Sequence, residues 1–290
     1  MGYVFAILSS ICGAAKGYAG KKSSYALENF PAMLFFSMLR TLVCALLGLA
    51  IWVIIGDFSL PSPKALAICI LSGISMSGFL LSWISAVKGG AYVRLDVCCQ
   101  MGMIIPCIFA APLLGESVNF FQYTALAFLI VAVILLDNSK KADAKIKIKD
   151  IAILFAVWLF SGTNSLCVKL YAFAGGTDSV FYNLTTFASS AAVLAISYVL
   201  QSKRGTKIAL PKSIYTVYLP IMATCLFINI FLTTLSAQML PAILLFPLQT
   251  ALGLILSCIM AVFLFKEKLP AKNIIGIAIA IISLFIINFM

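Results

Sequence analysis

The sequence predicts an all-α integral membrane protein of ten transmembrane helices, built as two five-helix repeats of inverted topology. Three observations carry this prediction: overall hydrophobicity, the spacing of the apolar runs, and the recurrence of local sequence between the halves. Of 290 residues, 63% are apolar and only 10% are charged. A soluble domain carries nearer ~25% charge. The mean hydropathy of +1.13 fits a chain whose solvent is mostly lipid.

Ten apolar segments follow one another: Gly2–Ala19, Pro31–Ile55, Pro63–Val87, Ala91–Leu114, Phe120–Asp137, Asp150–Phe173, Ser179–Leu200, Ser213–Ala237, Pro241–Phe265 and Ala271–Met290. Each approaches the ~20 residues that a helix needs to cross hydrocarbon. None shows the alternation of a barrel strand, and otherwise only helices satisfy their own backbone inside lipid. The first segment lacks a basic leader region and a cleavage site, so it reads as a span rather than a signal peptide.

The longest polar stretch, residues 139–149, contains Lys140, Lys141, Lys145, Lys147 and Lys149 and falls near the middle. It divides the chain into repeats at 1–138 and 150–290. Local matches support the division. Leu-Gly-Glu116 precedes the fifth segment and Phe-Lys-Glu267-Lys-Leu precedes the tenth. Gly13 and Gly162 lie near the middles of the first and sixth, and Lys21 and Lys169 follow them. Five spans per repeat force the second repeat to enter the membrane from the opposite side, an arrangement common among secondary transporters.

Charge sets the orientation. Of the 20 Lys and Arg residues, fifteen fall in loops on the side of the central linker, and Lys64 alone falls in the opposite loops. The positive-inside rule makes the linker cytoplasmic and both termini external. The net charge of +11 then reflects cytoplasmic loops and anionic membrane lipids as partners, not nucleic acid. The nine cysteines, mostly within apolar runs, read as small buried hydrophobes. There is no histidine, metal-ligand spacing, phosphate-binding loop or nucleophile elbow, so no cofactor and no enzymatic activity is expected.

The two Glu-containing corners, Arg40 in Phe-Ser-Met-Leu-Arg40, and the Gly-to-Lys stretches ending the first and sixth segments resemble the drug/metabolite transporter superfamily, EamA-type, over nearly the whole chain. The resemblance implies a central cavity between the halves, alternately open to each side, in a multi-pass plasma-membrane protein. It implies secondary transport, in the direction of export, of a small-molecule substrate such as an amino acid, with a proton or ion as the coupling partner. The alternative is a multidrug cation/proton antiporter. The chain departs from the family in having Cys12-Gly13 where Trp-Gly is common, Arg94 and Asp96 in the fourth segment, and external termini by charge count.

A charge within a span costs ~2.5–3.5 kcal/mol on insertion scales, so each needs a partner or a task. Lys16, Arg40 and Asp96 all fall in the cytoplasmic half of the membrane, and Asp96 is expected within reach of Lys16 or Arg40. The set either neutralises itself structurally or contacts substrate and gates the cytoplasmic mouth. Gln100 and Gln249 occupy equivalent fourth and ninth segments and are expected to line the cavity, because a buried amide must find hydrogen bonds. Asn164 and Asn229 are further candidates, with Trp83 and Trp158 as cavity wall or packing. Pro106 and Pro247 break or kink their helices. Glu116 and Glu267 are each expected in the first turn of the next helix, where the dipole favours an anion. Lys169 is expected to snorkel to the headgroups.

Overall fold

A computed structural model describes residues 1–24, 27, 29–56, 61–88, 99, 101–135, 148–202, 211–263 and 271–289. Ten α-helices make up these residues: α1 Gly2–Ser24, α2 Phe30–Ile55, α3 Pro63–Lys88, α4 Ile104–Leu114, α5 Phe120–Leu135, α6 Ile148–Phe173, α7 Ser179–Ser202, α8 Leu219–Met239, α9 Ala242–Phe263 and α10 Ala271–Phe289. A π-helical turn, Ile214–Tyr218, leads into α8. Among the described residues there is no strand. The linker at 139–147 lies outside them.

Five stretches are long and apolar enough to cross a membrane: Phe30–Ile55, Pro63–Trp83, Ile151–Phe173, Ser179–Gln201 and Ile214–Met239. The chain is therefore a helical membrane protein. Five of the ten predicted spans are not among them: the first, whose α1 carries Ser9, Ser10, Lys16, Lys21 and Lys22, and the fourth, fifth, ninth and tenth, whose described apolar stretches Ile104–Leu114, Phe120–Ala132, Ala242–Leu256 and Ile274–Ser283 are shorter. Large apolar side chains such as Ile54, Phe120 and Phe263 stand 82%, 75% and 76% exposed. In water so much exposed apolar surface would be a liability; facing lipid it costs nothing.

Helix ends follow local chemistry. Gly56 and Gly115 adopt left-handed conformations (φ 72° and 63°) and stop α2 and α4, as C-terminal glycines do. Asn119 and Gln122 cap α5 reciprocally, Gln122 N donating to Asn119 Oδ1 (2.9 Å) and Asn119 N to Gln122 Oε1 (3.1 Å), in a capping box. Asp178 Oδ1 accepts from Val180 N and Phe181 N at the start of α7.

The most extensive packing joins the two halves. α1 lies along α8, α3 along α6, α2 along α7, and α5 along α10. Lipid tails are as apolar as the helices, so association rests on close packing and hydrogen bonds rather than on the hydrophobic effect. Small residues mark the crossings. A Cβ on Gly48 would lie 3.2 Å from Leu184 Cα, and one on Gly73 would lie 2.5 Å from Thr186 O and 2.9 Å from Ser189 Cβ. Because Thr186 O is helix backbone, α3 and α7 must part if Gly73 gains a side chain. Gly73→Val is expected to cost about 1–3 kcal/mol by overpacking. Thermal unfolding of detergent-purified protein checks this, and an unchanged Tm would show that the crossing yields.

The fourth segment is interrupted. The chain turns at Gly102–Met103 before α4 begins. Pro106 has no N–H to offer Gly102 O, which instead accepts from Ile105 N at 3.2 Å. Pro247, by contrast, is accommodated inside a continuous α9.

Candidate functional site

A cavity of ≈ 280 Å³ opens between α1, α2, α3, α6, α8 and α9, with Cys99 and Met103 completing its wall. That is ample room for several waters or a small organic molecule. Six of the predicted residues line it: Lys16, Arg40, Trp83, Asn164, Asn229 and Gln249. Asp96 and Gln100 lie outside the described residues, as do Arg94 and Glu267, so the expected Asp96 pairing and Gln100 orientation concern residues beyond this description.

Ser9 organises one end of the cavity. Its Oγ accepts from Asn229 Nδ2 (3.0 Å) and Gln249 Nε2 (3.1 Å) and donates to Asn229 O (3.0 Å). Asn229 Nδ2 also reaches Ser9 O at 2.8 Å, and Gln249 Nε2 donates to Thr233 Oγ1 at 2.9 Å. One hydroxyl thus ties α1, α8 and α9 together. Gly13 sits where a Cβ would come within 3.2 Å of Asn229 Nδ2, so its lack of a side chain keeps the amide in place. On the facing wall, Ser72 Oγ donates to Asn164 Oδ1 (2.9 Å). That bond uses its only proton, so Tyr182 OH must donate in the 2.7 Å contact with Ser72 Oγ. The relay from Tyr182 fixes the Asn164 carbonyl oxygen, and the amide nitrogen makes no bond among the described residues.

Arg40 is 2% exposed, and its guanidinium carbon stands 5.9 Å from the Phe36 ring centroid. Among the described residues its Nε and Nη2 have no hydrogen-bond partner. Lys16 lines the same cavity, close enough for the two charges to repel. The described lining contains no carboxylate.

Trp158 does not line the cavity. Its Nε1 donates to Met101 O (3.2 Å), and Ser161 Oγ donates to Cys99 O (3.2 Å). These carbonyls belong to the interrupted fourth segment, so α6 supplies donors where helix geometry is lost. Gly162 permits the approach, since a Cβ there would lie 2.5 Å from Gly102 O.

Two expectations need correction. Lys169 does not snorkel. It is 12% exposed, pairs with Glu116 Oε1 at 3.2 Å, and donates to Ala237 O (2.9 Å) and Leu240 O (2.5 Å). Glu116 does not cap the helix that follows it. Its two oxygens accept from Ala242 N (2.8 and 2.7 Å), so the anion sits at the start of α9 from the other half. The cause is the left-handed turn at Gly115, which releases the chain four residues before α5 starts at Phe120. Gln238 Nε2 reinforces the junction, reaching Thr177 O (2.9 Å) and Ser179 Oγ (3.2 Å). Together these bonds clamp the α8–α9 corner to α6 and the α4–α5 corner. A cue was present in the sequence: an anionic corner and a cationic helix end that the topology places on the same membrane face.

No family model and no curated protein matches the chain. A solved structure, described only as the crystal structure of a protein, matches with a TM-score of 0.79 over 99% of this chain and 95% of its own, at 14% identity. At that identity the likeness is one of fold.

Proposed function

We propose that the chain is a secondary active transporter that moves small metabolites such as amino acids out across the plasma membrane by alternating access. The observation that carries this reading is the cavity. It is polar at Ser9, Asn164, Asn229 and Gln249, and it lies between helices of both halves of an otherwise apolar bundle. The helix pairing also favours ten spans in two inverted repeats. Exchanging the first five helices for the second five turns α1·α8 into α6·α3 and leaves α2·α7 and α5·α10 each on itself. A twofold relation in the membrane plane produces such a permutation.

The cavity runs from the Ser9 knot towards Lys16, Trp83 and Met260, the end that the charge count makes cytoplasmic. The Glu116–Lys169 clamp lies at the other end. This conformation is then closed outside, and opening outwards requires the clamp to release. The cation/proton antiporter alternative needs a carboxylate in the lining, and the described lining favours the opposite charge.

The reading is tested with purified protein in liposomes by counterflow of a panel of radiolabelled metabolites. Saturable exchange of at least one compound, absent from protein-free liposomes, is expected. Folded protein that exchanges none of them ends the proposal.

A further inference from the structure

We infer that the cavity takes a small organic anion, a carboxylate or a phosphate monoester, with its head on Arg40 and Lys16. This inference rests on the transport reading and deepens it by naming the ligand class. A guanidinium that is 2% exposed, with Nε and Nη2 unpartnered among the described residues, is costly inside a membrane protein unless something supplies acceptors. Nε and Nη2 form one edge of the planar fork, and that edge matches the two oxygens of a carboxylate or phosphate in parallel hydrogen bonds. Lys16 adds a second positive charge in the same water-restricted space, which raises the local concentration of anions.

The rest of the lining fits the remainder of such a molecule. Phe79, Leu80, Leu226 and Phe246 also line the cavity, so the body beyond the anionic head meets apolar wall as well as the neutral polar groups. The free Asn164 amide nitrogen adds a neutral donor. An ammonium on a substrate that lacks an anionic head would meet two cations and only neutral acceptors in the described lining, which selects against simple cations.

Four compounds with one ring and different heads test this: benzoate, phenyl phosphate, benzamide and benzylammonium. Thermal shift on the detergent-purified protein is expected to show saturable stabilisation by benzoate, phenyl phosphate or both, and none by the other two. The stronger of the two anions identifies the head. Arg40→Met is expected to weaken that binding roughly ten- to hundredfold, since a hydrogen bond to a charged group is lost. Without ligand the variant should melt at or above the wild-type Tm, because an unpaired buried charge has been removed. A melting point several degrees lower, or failure to fold, would mean that Arg40 has an internal counterion and overturns the inference. Lys16→Met is expected to weaken anion binding less, with folding retained; anion binding unchanged in both variants also overturns it. In liposomes, exchange of benzamide or benzylammonium but not of either anion sinks the anion site and leaves transport standing. Anion binding in detergent without exchange in liposomes does the reverse.

Discussion

Lys169→Met is expected to destabilise the folded protein by about 2–4 kcal/mol, somewhat less than removing one partner from a fully buried ion pair, because the two side chains are 12% and 13% exposed. The side chain it replaces makes three contacts at once, to Glu116 Oε1, Ala237 O and Leu240 O. Methionine fills similar volume, so the loss is electrostatic and not a cavity. It leaves the Glu116 carboxylate, 13% exposed, with Ala242 N as its only remaining described partner. Glu116→Gln is expected to cost less, because an amide oxygen still accepts from Ala242 N and Lys169 keeps both carbonyls. The double variant should fall short of the sum of the singles, since each single strands a group that the double removes. Denaturant unfolding in mixed micelles measures all three. A cost below ~1 kcal/mol for Lys169→Met would place the pair with solvated surface salt bridges.

The membrane class and the helix order were legible in the sequence because both depend on composition summed over about twenty residues, where single positions matter little. The polar lining was legible for a related reason. Asn164, Asn229 and Gln249 are amides in apolar helices, and an amide there must turn inward. Lys169 and Glu116 were misread because each was judged against its own helix end. Lys169 lies four residues before the end of α6 and Glu116 four residues before α5, so local rules favoured snorkelling and capping. Each is the other's partner, and their backbone partners Ala237, Leu240 and Ala242 lie more than 60 residues along the chain, which no local rule reports. Trp158 illustrates the same limit. Its aromatic ring left cavity wall and packing both open, and its indole N–H answers a backbone interruption at Pro106 on another segment. Thr233 went unnoticed because a threonine in an apolar run carries no charge or amide, yet it closes the Ser9 knot.

The clamp also predicts which face of the membrane can reach the cavity. Thr233 is 8% exposed, lines the cavity, and lies on the last part of α8 before the clamped corner. In a background with all nine cysteines replaced by alanine, Thr233→Cys is expected to react slowly with a membrane-impermeant maleimide added to intact cells. On the proposed alternating-access reading, the bonds from Lys169 to Ala237 O and Leu240 O are made in the closed-outside form and broken in the open one. Removing them with Lys169→Met therefore penalises the closed form and not the open one. Hydrogen bonds to a charged group contribute about 1.5–3 kcal/mol, which converts to a shift of roughly ten- to hundredfold in the closed-to-open equilibrium. Labelling of Thr233→Cys from outside should accelerate by at least about tenfold in the Lys169→Met background. Benzoate or phenyl phosphate held at Arg40 should slow that labelling if the anion favours the closed form, because a ligand shifts an equilibrium only by its differential affinity for the two states. Equal labelling rates with and without Lys169 would show that the clamp is a structural joint and that the outer gate lies elsewhere.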